Sequence, residues 1–90
     1  MPYIKSEKRP KYDSITDELA RVLGILNNES LSGELNYCLY RLAYLLSKKD
    51  RNYARMAVIL SAMNEAQMEF RKRQLGPYED EKIKENGDVA

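Results

Sequence analysis

The sequence predicts an all-α protein: a three-helix core of antiparallel helical hairpins with a long third helix, flanked by N- and C-terminal arms. Three observations carry this prediction. Apolar residues recur at helical spacing in three successive segments, short polar loops separate those segments, and the helix-disfavouring prolines sit near the two ends of the chain. Residues 1–12 read as an arm, 13–76 as the helical domain and 77–90 as a charged tail. No internal repeat or low-complexity segment interrupts this order.

In the arm, Pro2 and Pro10 discourage helix, and Lys5, Lys8, Arg9 and Lys11 keep the segment in water. Tyr3 and Ile4 are its bulky apolar side chains and so its expected anchor. Ser14 suits the N-cap of a first helix, in which Ile15, Leu19, Val22, Leu23 and Leu26 form one apolar stripe. Asn27 to Ser30 reads as a loop, with Ser30 or Ser32 capping a second helix that runs to about Lys48. There Leu35, Cys38, Leu39, Leu42, Leu45 and Leu46 fall within about 120° at 100° per residue. Tyr37, Tyr40 and Tyr44 form a separate stripe on roughly the opposite side. Two stripes on one helix imply cover on both sides.

Lys48 to Asn52 reads as a tight polar turn. A third helix follows to Leu75, where Gly76-Pro77 is expected to stop it. At 1.5 Å per residue it is about 35 Å long. Its inward stripe is Tyr53, Met56, Ala57, Leu60, Met63 and Phe70, interrupted by Asn64, Gln67 and Arg71. The tail is a charged stretch compatible with a helical turn or two, followed by the turn signal Asn86-Gly87.

Composition narrows function mainly by exclusion. With 15 Lys+Arg against 14 Asp+Glu the net charge is +1, too balanced for a nucleic-acid coat acting through bulk charge. The chain has no His and one Cys, Cys38, which excludes within one chain a Cys/His zinc site, a His-dependent hydrolase and a disulfide framework. No apolar run reaches the ~20 residues of a membrane span, and Met1 to Lys5 lacks a signal peptide's apolar stretch. The expected location is the cytoplasm. Carboxylates are not paired as a magnesium-dependent nucleotide hydrolase needs: Glu79-Asp80-Glu81 are consecutive and diverge on a helix, and Glu85-x-x-Asp88 stands alone. No glycine-rich phosphate loop is present, so the chain is read as no enzyme, without cofactor or metal.

Length adds a constraint. Folding the second and third helices back to back leaves about ten residues of the third overhanging, with Phe70, Leu75 and the tyrosine stripe poorly covered. A core of this size is marginal alone. The expected answer is a homo-oligomer with Tyr37, Tyr40, Tyr44, Phe70 and Leu75 at its interface.

Seven Tyr against one Phe and no Trp point to interfaces or to stacking on a planar ligand. Arg71, Lys72 and Arg73 lie near the end of the long helix and Arg41 beside the tyrosine stripe; Glu69 stands four residues before Arg73, the favourable order for an ion pair. Arg71 falls on the apolar stripe, where a guanidinium needs a carboxylate or phosphate partner. Asn64 and Gln67 are expected to be hydrogen-bonded amides that either fix helix register, the favoured reading, or face a polar cavity. Met56, Met63 and Met68 read as adaptable packing, and Cys38 as a buried structural thiol.

The segments Met1-Pro2-Tyr3-Ile4, Gly33-Glu34-Leu35-Asn36-Tyr37 and Pro77-Tyr78-Glu79-Asp80, the last followed by Lys82-Ile83 and Glu85-Asn86-Gly87-Asp88-Val89, are together distinctive. They resemble a family of small uncharacterised proteins of prokaryotes and their phages that shares this opening and ending. The resemblance spans nearly the whole chain and implies no particular chemistry. Gly76 and Ala90 stand where family members usually carry Ala and a final Tyr. A looser analogy, of size and phage association and not of motif, is to phage proteins that sequester a nucleotide signal.

The functional expectation is a non-enzymatic, homo-oligomeric binding protein for a small anionic planar ligand such as a nucleotide. Its ligand residues would be Arg71, Arg73, Tyr78, Tyr37 and Arg41. The alternatives are a protein–protein adaptor and a weak nucleic-acid binder using the basic arm, the latter disfavoured by the charge balance.

Overall fold

The computed structural model describes residues 4–89, and among them every regular element is helical. A 3-10 turn at Ser6–Lys8 leads into α1 (Pro10–Gly24), followed by α2 (Asn28–Ser47) and α3 (Tyr53–Phe70). A π-helical segment, Arg71–Leu75, then joins α3 to α4 (Gly76–Asn86). The chain forms two compact units, the first running to Met56 and the second from Ala57 onward.

α1 starts earlier than the Ser14 cap implies, because Pro10 sits in its first turn, where a missing N–H costs nothing and the fixed φ is already helical. Lys11 and Tyr12 therefore belong to α1. The residues before it are tied back by Arg9, whose Nε and Nη2 donate to the Ile4 carbonyl at 3.3 and 3.1 Å. The Ile4 side chain stays exposed, so its main chain is the anchor; Tyr3, the other expected anchor, lies outside the described residues. α1 packs against α2.

The cap of α2 is Asn27, which the sequence reading placed in a loop. Its Oδ1 accepts the Ser30 N–H at 2.9 Å, taking up one of the donors a helix start leaves unpaired. At the start of α3, Asn52 Oδ1 accepts the Arg55 N–H at 2.8 Å, while Asn52 Nδ2 donates to Asp50 Oδ1 at 2.6 Å. The Arg55 side chain closes this corner by donating from Nε to the Leu46 carbonyl at 2.9 Å.

Gly76-Pro77 does not stop the third helix. The π-helical turn absorbs one extra residue, and the Gly76 N–H donates to the Arg71 carbonyl five residues back. Pro77 thereby falls in the first turn of α4, where a missing N–H is tolerated. The acidic first turn of α4 suits a helix start. The helix ends instead at Gly87, whose φ of 85° leaves the helical region and whose N–H donates to the Ile83 carbonyl at 2.8 Å. Asn86-Gly87 is thus a helix terminator, three turns later than the sequence predicts.

The expected core is also corrected. Among the described residues no hydrophobic side chain is buried; the one buried residue is Ser47, whose Oγ donates to the Tyr44 carbonyl at 3.1 Å. Leu23, Leu26, Leu31, Cys38, Met56 and Ile59 are half-buried, so Cys38 is not the fully enclosed thiol its stripe implied. Leu35, Leu39, Leu42, Leu45 and Leu46 are all exposed. Asn64 and Gln67 are exposed too, and the Asn64 amide reaches Met68 Sδ at 3.6 Å rather than a buried partner.

Candidate functional site

The predicted site residues lie in two places. Tyr37, Tyr40, Arg41 and Tyr44 are on α2, in the first unit. Arg41 follows Tyr37 by four residues and precedes Tyr44 by three, so the three share one helix face. All are exposed, Tyr37 and Tyr40 by more than 60%. They form a flat amphipathic strip: rings with an apolar body and a polar tip beside one guanidinium.

Phe70, Arg71, Arg73, Leu75 and Tyr78 lie in the second unit, on the continuous run of α3, the π-helical segment and α4. The continuity changes their geometry. In a regular helix Leu75 would sit about 140° round from Phe70. The wider π turn brings residues five apart into adjacent turns, so Leu75 moves toward the Phe70 side and Gly76 over Arg71. Phe70 is 65% exposed and Leu75 36%, an apolar edge open to solvent.

The basic residues differ in their engagement. Arg73 Nε donates to Glu69 Oε2 at 2.8 Å, and Glu69 is the more covered partner, its side chain 29% exposed. The i, i+4 spacing read from the sequence is therefore an ion pair in the structure. Arg71 is exposed, so burial makes no demand for a counter-charge there. Tyr78 is covered by a cation from its own helix: Lys82 Nζ lies 5.6 Å from the ring centroid and also donates to Glu85 Oε2 at 3.0 Å. Arg73 and Tyr78 stand about 7.5 Å apart along the helix axis. The next residues, Glu79-Asp80-Glu81, have the sign that repels a phosphate.

Among the described residues no three His, Cys, Asp or Glu side chains converge as a metal site, and no helix is long and apolar enough to cross a membrane. A shallow groove on α3 is lined by Ala57, Val58, Ser61, Ala62 and Glu65, with no cluster of convergent polar groups. On α1 the hydrogen bonds from Arg21 hold the exposed Glu18 carboxyl below the ordinary glutamate value, and Glu18 in turn raises Arg21.

Sequence reasoning missed the Lys82–Tyr78 contact and the π-helical turn. The signal for a helix over the tail was present, because Pro77 followed two residues on by Glu79-Asp80-Glu81 marks the beginning of a helix as well as the end of one.

An all-helical chain without a strand among its described residues, and with its aromatic and basic residues displayed on helix surfaces, is the class of protein defined here. The chain belongs to the family described as Domain of unknown function (DUF6899), which matches residues 1–89. No curated protein and no solved structure matches the chain.

Proposed function

We propose that the protein is a non-enzymatic binding protein that works as an assembly of its own chains. The observation that carries this reading is the absence of a buried hydrophobic side chain among the described residues, in a chain that is 43% hydrophobic. Ordering a backbone costs about 1–2 kcal/mol per residue, and apolar burial is the main term that offsets it. A helix pair that buries so little leaves that term to contacts with other chains. Tyr37, Tyr40, Tyr44, Phe70 and Leu75 are the exposed groups suited to supply them. We place such a protein in the cytoplasm. Light scattering at micromolar concentration tests the reading: a particle of only 10.5 kDa sinks it.

A second reading concerns the ligand. Arg71 and Arg73 share one continuous helix with Tyr78, which favours a small anionic planar molecule such as a nucleotide, held by guanidinium forks on its phosphate and a ring on its base. Assembly would add a second such set and exclude water. Calorimetry against linear and cyclic nucleotides tests it: Arg73→Ala and Tyr78→Ala should each weaken binding with helicity retained. If no nucleotide binds the wild type, an adaptor that docks another protein takes its place.

A further inference from the structure

We propose that the segment Phe70–Ile83 is a self-complementary docking surface for a second copy of this chain, running antiparallel and crossing at Gly76. The proposal deepens the assembly reading above and rests on it. It starts from a symmetry of charge along the helix. Counting outward from Gly76, position 71 is matched by 81, 72 by 80 and 73 by 79. The residues there are Arg71 and Glu81, Lys72 and Asp80, Arg73 and Glu79. Each basic residue on one side has an acidic residue at the same distance on the other.

Only an unbroken helix gives this symmetry physical meaning, and the π-helical turn supplies it by carrying the helix through Gly76-Pro77. Within one chain the two blocks cannot satisfy each other. Their centres, Lys72 and Asp80, are about 12 Å apart along the axis, beyond the ~8 Å screening length of physiological salt. Among the described residues Arg71, Lys72, Glu79, Asp80 and Glu81 make no ion pair. Arg73 is held by Glu69 on its own helix, so in this register it serves mainly as part of the basic block.

An antiparallel copy with its axis 8–10 Å away sets each basic block beside an acidic one, in both directions at once, as a two-fold interface requires. A parallel copy in register sets like against like. Three consecutive residues span most of the helix circumference, so the blocks fix direction and register rather than the contact face. That face comes from Phe70 and Leu75, which the π turn brings toward one side, and from Gly76, which has no side chain to hold a second helix away. Gly76 also answers to its own chain, because a Cβ there would meet the Arg71 carbonyl oxygen at 3.2 Å.

The test uses full-length variants and sedimentation, with circular dichroism to check helicity. One variant reverses the basic block (Arg71→Glu, Lys72→Glu, Arg73→Glu), the other the acidic block (Glu79→Lys, Asp80→Lys, Glu81→Lys). Each should sediment at half the wild-type mass, and a one-to-one mixture should recover it. If the variants lose helicity, a milder set decides: Lys72→Glu and Asp80→Lys should each weaken self-association roughly ten-fold, and the double variant should restore it. Wild-type mass retained by the reversed variants overturns this surface and leaves the assembly reading standing. Loss without recovery in the mixture or in the double variant also overturns it. A wild type that sediments as a single chain overturns both.

Discussion

The segment up to Met56 and the segment after it handle the same problem, an amphipathic helix too small to fold alone, in different ways. In the first, two asparagines divide the chain: Asn27 caps α2, Asn52 caps α3, and Arg55 ties the corner to the Leu46 carbonyl. The division lets α1 lie on α2 and half-bury Leu23, Leu26, Leu31 and Cys38. In the second, the break that the sequence offers at Gly76-Pro77 is bridged by a π-helical turn, and the helix runs on to Asn86. Phe70, Leu75, Tyr78 and Ile83 remain exposed along it. Side-chain caps create local packing partners, whereas a bridged break removes the chance of one and leaves the apolar edge open to solvent.

The largest test of this contrast is Tyr40→Glu. If the α2 tyrosine stripe is buried on assembly, a carboxylate there costs several kcal/mol and should dissociate the particle in sedimentation. Unchanged mass would assign assembly to the second segment alone. Next comes the true end of the long helix: Gly87→Ala forces a Cβ into a positive φ and should cost about 1–2 kcal/mol locally, seen as faster amide exchange in the last turn of α4.

Caps in the first segment should each be worth about 1 kcal/mol, so Asn27→Ala and Asn52→Ala should both lower the melting temperature. At the bridged break the expected effect is smaller. Alanine ordinarily gains about 1 kcal/mol over glycine inside a helix. At Gly76 the crowding against the Arg71 carbonyl should remove part of that gain, so Gly76→Ala should stabilise by less.

The smallest effect is the Glu18–Arg21 pair on α1. Its carboxyl is held below the ordinary value in the folded chain, so the pair contributes above the unfolded glutamate pKa and is lost as pH falls through the lowered one. An NMR titration should show the depressed midpoint in the wild type and its return in Arg21→Gln. Both side chains are well exposed, so the melting temperature should barely respond.

Much of the fold was legible in the residues. The 3.6-residue spacing of Ile15, Leu19, Val22 and Leu26, and of Leu35, Leu39, Leu42 and Leu46, marks helices because that period exists whether or not a partner is present. The Glu69–Arg73 pair was legible for the same reason, since four residues along a helix always bring two side chains together. Boundaries were less legible. Asn27 and Ser30 compete for one cap, and Pro10 and Pro77 read as interruptions until the donors around them are counted.

The sequence by itself determined the helical class, the three amphipathic segments and the identity of the exposed aromatic and basic residues, because periodicity and side-chain chemistry are local properties. Only the tertiary structure decided that Gly76-Pro77 is crossed rather than obeyed and that the apolar stripes stay open. A proline removes one donor, and whether that ends a helix depends on whether the backbone can pass its hydrogen bonds one residue further along. A stripe of leucines states only that cover is needed; whether a surface provides it is a property of the packed structure.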